Sequence, residues 1–170
     1  MEIVNVKASF TINQNHSLEE NSESYLFYSA GFVNILKCGD FTYSVMGKNN
    51  RYVNVTGCSS LERINEAVEL FKEKSLISLI QNLKINSISF KFKMYIDSSK
   101  LLYIKSTPSD IFNVKIFPRF SRICFKHKKL KIAGNFFPKS NKFISMGAKN
   151  KDEINNYIRD LELIGFILIN

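Results

Sequence analysis

The feature that most restricts what this chain can fold into is a strand–turn–helix pattern that occurs twice, 90 residues apart. Phe143 to Phe166 reads as a short strand, a small-residue turn at Met146-Gly147-Ala148-Lys149 and an amphipathic helix with Ile154, Tyr157, Ile158, Leu161 and Ile164 at spacings of 3 and 4. The first half shows the same order: Val53 to Gly57, then a helix from Leu61 onward. Gly57 stands 90 residues before Gly147, Ile64 before Ile154, Asn65 before Asn155 and Val68 before Ile158. Four coincidences at one offset imply a duplicated half. Two halves of this size are each small, so the expectation is one pseudo-symmetric domain over 1–170, with repeats at 1–80 and 81–170 sharing a sheet.

The remaining elements follow from local pattern. In the first half, Ile3–Ile12, Phe32–Cys38, Phe41–Met46 and Arg51–Thr56 read as strands, with turns at Gly39-Asp40 and Gly47 to Asn50. His16–Tyr28 reads as a short helix with Ser17 as N-cap and Glu20 completing a capping box. Ser59 or Ser60 caps a helix reaching about Leu79. In the second half, Lys84–Tyr95, Phe117–Phe125, Leu130–Phe137 and Lys142–Met146 read as strands, with a helix near Ser98–Lys105 that Pro108 ends. Each half is thus β-α-β-β-β-α. The class is α+β: antiparallel hairpins in one curved sheet of about eight to ten strands, helices on one face and the other face open.

Charge bears on what that open face meets. Lys and Arg number 24 against 15 acids, a net charge of +9, which favours a polyanion, nucleic acid before membrane. Solvated surface lysine in a chain rich in Lys, Asn and Ile is the plainer explanation, and charge alone does not choose. No apolar run is long enough to span a bilayer, and the amino terminus lacks the pattern of a signal peptide. Cys38, Cys58 and Cys124 are odd in number and scattered, as free thiols are. His16 and His127 are isolated, no Cys–His spacing makes a zinc set, and no glycine-rich phosphate loop occurs. The expectation is a non-enzyme without cofactor or metal.

The ordered motifs carry a resemblance. Ile116-Phe117-Pro118-Arg119, Met146-Gly147-Ala148-Lys149 and Ile164-Gly165-Phe166 are similar to the carboxy-terminal repeat of the TATA-box-binding protein family, with its Leu-Phe-Pro-Gly strand start, Thr-Gly-Ala-Lys turn and Gly-Phe helix end. Gly31-Phe32 and Thr56-Gly57 resemble the matching places of the other repeat. Lys84-Ile85-Asn86 and Val4-Asn5 resemble the starts of the two repeats. The resemblance implies a two-repeat saddle with helices on its convex face, and a transcription initiation factor that lays its concave sheet in the minor groove of A/T-rich double-stranded DNA. In that family paired Phe rings wedge between base steps and bend the duplex.

Carried over position by position, Phe117 and Phe32 are wedges, Phe136 or Phe137 is the second wedge of its half, and Met46 stands 90 residues before Phe136. Large apolar rings are more often core, so burial decides between the readings. Asn5 and Asn86 match central asparagines whose NH2 donates to minor-groove acceptors. Thr56 matches a base-contacting threonine whose second-half counterpart here is Met146. Lys37 and Arg122 lie near phosphate-binding positions, and Arg51 and Lys142 open the fourth strand of each half. The family's glutamate ahead of Leu-Phe-Pro, gripped by a B-type initiation factor, is replaced by Lys115-Ile116. The charge reversal implies a co-diverged B-type factor if one binds alongside RNA polymerase, as a virus-encoded or specialised cellular version would require. Localisation would be nuclear for a cellular protein, and the host nucleus or a cytoplasmic replication site for a viral one. Two other readings stay open: the same fold reading the backbone of RNA or an RNA–DNA hybrid, and a scaffold for another transcription component.

Overall fold

The structure, a computed structural model, describes residues 1–12, 26–30, 33–46, 52–75 and 79–169. It divides into two compact units: a first unit, Asn5–Asn86, and a second unit, Ser87–Asn170 together with Met1–Val4. The first unit contains β1 (Glu2–Ile12, from Asn5 on), β2 (Leu26–Ala30), β3 (Val33–Cys38), β4 (Phe41–Met46), β5 (Tyr52–Cys58) and α1 (Arg63–Ser75). It also takes the opening residues of β6 (Ile80–Tyr95). The second unit contains the rest of β6, α2 (Ser98–Ser106), β7 (Phe112–Phe117), β8 (Arg122–His127), β9 (Ala133–Phe137), β10 (Lys142–Ala148), α3 (Lys151–Leu163) and β11 (Ile167–Ile169).

Antiparallel ladders join β2-β3-β4-β5-β1 in the first unit and β7-β8-β9-β10-β6 in the second, with β11 on β6. The class is α+β, as expected. Segments of both units differ from the sequence reading. The helix expected to reach Tyr28 gives way to β2 at Leu26–Ala30, and its beginning lies outside the described residues. Residues 117–125 are not one strand. Pro118 has no N–H for a ladder and fixes its own φ, so β7 ends at Phe117, a single 3₁₀ turn spans Pro118–Phe120, and Ser121 turns back at φ 46°. The strand preceding that turn, β7, had no counterpart in the reading.

The repeat is clearest in what the helices bury. Ile64, Ala67, Val68 and Phe71 of α1 are buried, and so are Ile154, Tyr157, Ile158 and Leu161 of α3, each pair 90 apart. Beneath them one large residue changes sides. In the first unit Tyr43 rises from β4, opposite Val55, and its hydroxyl donates to the Ala67 carbonyl at 2.7 Å. In the second unit the bulk comes from the helix. Tyr157 lies above Gly134 of β9, opposite Ser145, and donates to the Phe125 carbonyl at 2.9 Å. A Cβ on Gly134 would overlap Ser145 Oγ and the Tyr157 hydroxyl. Tyr with Ala in one half and Gly with Tyr in the other fill equivalent volumes, which close packing demands. Burial pushes the pKa of both hydroxyls up.

Aromatic rings dominate the core of the second unit. Phe143 stacks on Phe136 at 4.9 Å and on Phe92 at 5.1 Å, and meets Phe166 at 5.2 Å. Asn150 caps α3 by accepting from the Glu153 N–H at 2.8 Å, and Glu153 accepts from Lys149 N. In the first unit Ser60 is the capping serine of the expected pair, its Oγ accepting from Arg63 N. The helix is described to Ser75 and Leu79 is not helical; residues 76–78 lie outside the described residues.

Candidate nucleic-acid interface

Strand alternation gives each ladder two faces. One lies under the helices. The other, in each unit, is open, and directly opposed residues on it form rows. In the first unit these rows are Met46–Tyr52–Thr11, Ser44–Asn54–Ser9 and Lys37–Thr42–Thr56. In the second they are Phe137–Lys142–Lys93, Asn135–Ile144–Lys91 and Ala133–Met146–Ser89, with Phe117 opposite Arg122 and Lys115 opposite Cys124 farther along.

Phe117 lies on this open face, half-buried, at the end of β7. The Arg122 guanidinium sits over its ring at 4.7 Å and over the Phe120 ring at 5.3 Å. Arg122 Nε is enclosed with no hydrogen-bond partner among the described residues. A charge held on aromatic faces and short of acceptors is primed for an anion. Phe120, 66% exposed in the 3₁₀ turn, joins the cluster. The sequence reading passed over it because it took 117–125 for continuous strand. Phe137 ends β9 on the same face, one position beyond the Ile123–Phe136 pair, and therefore flanks Arg122.

Phe136 is a correction. It is 1% exposed, stacked on Phe143 and edge-on to Phe166, and is a core residue rather than a wedge. Adjacent strand residues point to opposite faces, so only one of Phe136 and Phe137 can be open. The register explains the slip. Met46 opposes Tyr52 as Phe137 opposes Lys142, so Met46 corresponds to Phe137, an offset of 91 rather than 90. Phe32 and Arg51 lie outside the described residues.

Asn86 is exposed, and its Oδ1 accepts from the Ser9 hydroxyl at 3.2 Å. That bond occupies the carbonyl end and leaves the NH2 end to donate. Asn5 is half-buried, its Oδ1 enclosed without a partner among the described residues. Thr56 and Met46 are half-buried and Lys37 is exposed, all on the open face. Lys142 is half-buried between Phe137 and Lys93. Asn54, Ser9, Lys93 and Lys126 share that face and were not foreseen, although residues two apart from expected contacts are the alternation's own signal. A recess of about 300 Å³ in the first unit is lined by Thr11, Met46, Tyr52, Asn54, Asn82 and Asn86. Asn82 (φ 54°) donates to Thr11 Oγ1 at 3.1 Å along its rim.

His127 is structural. Its Nδ1 accepts from the N–H groups of Lys129 and Leu130 at 3.0 and 2.9 Å, which leaves Nε2 to donate to Asp160 at 2.9 Å. It pins the β8–β9 connection to α3. Among the described residues no three His, Cys, Asp or Glu are grouped to hold a metal, and no helix is long and apolar enough to cross a membrane.

Among solved structures the chain is similar to the TBP of Methanococcus jannaschii, with a TM-score of 0.77, 19% identity and 96% of each chain covered. At that identity the likeness shows the fold, and the fold of this chain is TBP-like. No family model and no curated protein sequence matches it.

Proposed function

We propose that the chain is a TBP-like, non-enzymatic transcription initiation factor. It lays its open sheet faces in the minor groove of A/T-rich duplex DNA and bends the duplex by inserting Phe rings. The observation that carries the reading is the pair Phe117 and Phe137, open-face rings flanking Arg122 at the end of a ladder. Rings at that place are where a wedge would enter a base step, and the guanidinium between them is where a phosphate would be met as the step opens.

The rest of the face supports a minor groove over a major one. A·T pairs present only acceptors there, so donors suit it. Asn86 offers its NH2, and the hydroxyls of Ser44, Thr42 and Thr56 lie on the same face. Half-buried Val33, Ile35 and Ile144 provide apolar surface for sugar walls. Thr56 donates where its counterpart Met146 cannot, which loosens any strict preference for one A/T-rich sequence. Lys115, exposed beside the 47% exposed Ile116, would meet a B-type factor that carries acid where the family's partner carries base.

Fluorescence anisotropy with short labelled duplexes tests this. Neutralising four or more phosphates predicts a loss of affinity of about a hundredfold between about 50 and 200 mM salt. A/T-rich duplexes should bind more tightly than G/C-rich ones at both. Equal binding of the two classes would remove the minor-groove reading and leave a backbone reader. No binding at low salt would leave the scaffold.

A further inference from the structure

Register lets the two open faces be compared position by position: their chemistry matches at Lys37 and Lys126 and at Ser44 and Asn135, and differs at four other places. Asn54 in the first unit corresponds to Ile144 in the second, both midway along the strand that follows the turn. Ser9, opposite Asn54, corresponds to Lys91, opposite Ile144. Thr56 corresponds to Met146, which is 53% exposed. Thr11 corresponds to Lys93. At each of these places the first unit carries a neutral group able to hydrogen-bond a base edge, while the second carries a cation or an apolar chain.

The first unit also orders its donors. Ser44, Asn54 and Ser9 lie across three adjacent strands, and Ser9 binds the carbonyl end of Asn86. On the second unit Lys93 stands opposite Lys142, where the first unit has Thr11 opposite Tyr52. An ammonium ion is a strongly hydrated point charge with no preference among bases. Its natural partner in a duplex is phosphate, which positions but does not specify.

Resting on the minor-groove reading above, we infer that the two units divide the work. The first unit selects the base sequence, and the second holds the backbone of whatever sequence lies against it. The specificity-determining residues are Asn54, Asn86 and Thr56, and the sequence-blind grip comes from Lys93 and Lys142, which stand where the first unit has Thr11 and Tyr52. Site preference is therefore one-sided, and binding has a polarity set by the protein.

The test uses the full chain and A/T-rich duplexes into which G·C pairs are placed in one half of the site at a time. In one half they should cost about fivefold or more in affinity, and in the other less than about twofold. Asn54→Ala with Asn86→Ala should erase the fivefold difference while leaving the salt dependence unchanged. Lys93→Ala with Lys142→Ala should weaken all duplexes alike and lower the slope of log affinity against log salt by about 2. Ile144→Asn with Met146→Thr should extend G·C discrimination to the tolerant half. All these positions lie on the open face, and far-ultraviolet circular dichroism confirms that each variant is folded. Equal cost in both halves, or a lysine pair whose loss changes discrimination, overturns the division while leaving the minor-groove reading intact. Absence of A/T preference in the unaltered chain overturns both.

Discussion

Phe137→Ala should abolish DNA bending at one end of the site while leaving the protein nearly as stable as before. Phe136→Ala should do the reverse. The two residues are neighbours in β9, yet they face opposite ways. Phe136 touches Phe143 at 4.9 Å and Phe166 at 5.1 Å between centroids. Truncating it opens a cavity in an aromatic core, and such substitutions cost about 3–5 kcal/mol. For a chain of this size that lowers Tm by about 10 °C. The Phe137 ring ends a strand on the open face, and its removal should cost within about 1 kcal/mol. Calorimetry and bending measured on both variants would separate the roles. A stable Phe136→Ala protein, or unchanged bending in Phe137→Ala, would contradict the assignment of faces. Phe117→Ala should behave as Phe137→Ala does, and should also free Arg122 from its aromatic seat.

The second large effect belongs to Gly147. Its φ is 112°, a conformation that side chains rarely adopt, and a Cβ there would drive into the Lys131 carbonyl oxygen, which is backbone and cannot swing away. The residue sits at the irregularity between Met146 and Ala148 in the pairing of β10 with β6, and its N–H donates to Ser87 Oγ at 3.1 Å. Gly147→Ala should therefore cost about 3 kcal/mol or more. Gly57 occupies the same place in the first unit, at φ 95° against the Asp40 carbonyl oxygen, and Gly57→Ala should cost as much. Gly39 is the internal control. Its φ is 56°, but nothing lies within 4 Å of an added Cβ, so Gly39→Ala should cost about 1 kcal/mol. Urea unfolding of the three variants measures the difference. Equal stabilities for Gly39→Ala and Gly147→Ala would mean that the close approach is not tight.

These glycines also explain why so much of the fold was legible. A residue that only glycine can occupy, followed by buried positions at 3 and 4, leaves the same trace in both halves, so β5–α1 and β10–α3 stood out together. What stayed hidden was hidden by compensation. Tyr43 with Ala67 and Gly134 with Tyr157 fill the same place with bulk from opposite sides, which erases the likeness in letters while preserving it in volume. The connections β4–β5 and β9–β10 differ by one residue in length, and that single step matched Met46 with Phe136 rather than Phe137 and left both rings standing as wedges. Phe120 was lost to the same cause as β7, since a proline inside an apolar run was read through rather than as a stop. His127 looked isolated because its partner, Asp160, is 33 residues away in sequence and 2.9 Å away in space.

Of the candidate site, the motif residues were legible only by resemblance. Their neighbours Asn54, Ser9 and Lys93 became visible only once strand pairing put them in rows. Periodicity says that alternate residues share a face. It does not say which strand lies beside which, and the rows of opposed side chains exist only across strands.

End-to-end fluorescence transfer across a short duplex would decide whether the open face bends A/T-rich duplex DNA from its minor groove. Labels on the two ends should approach when the protein binds A/T-rich DNA, as a kink of some tens of degrees requires. The approach should be much smaller on G/C-rich DNA and should diminish with Phe117→Ala and Phe137→Ala. Saturated binding to A/T-rich DNA with no change in end-to-end distance would contradict the claim.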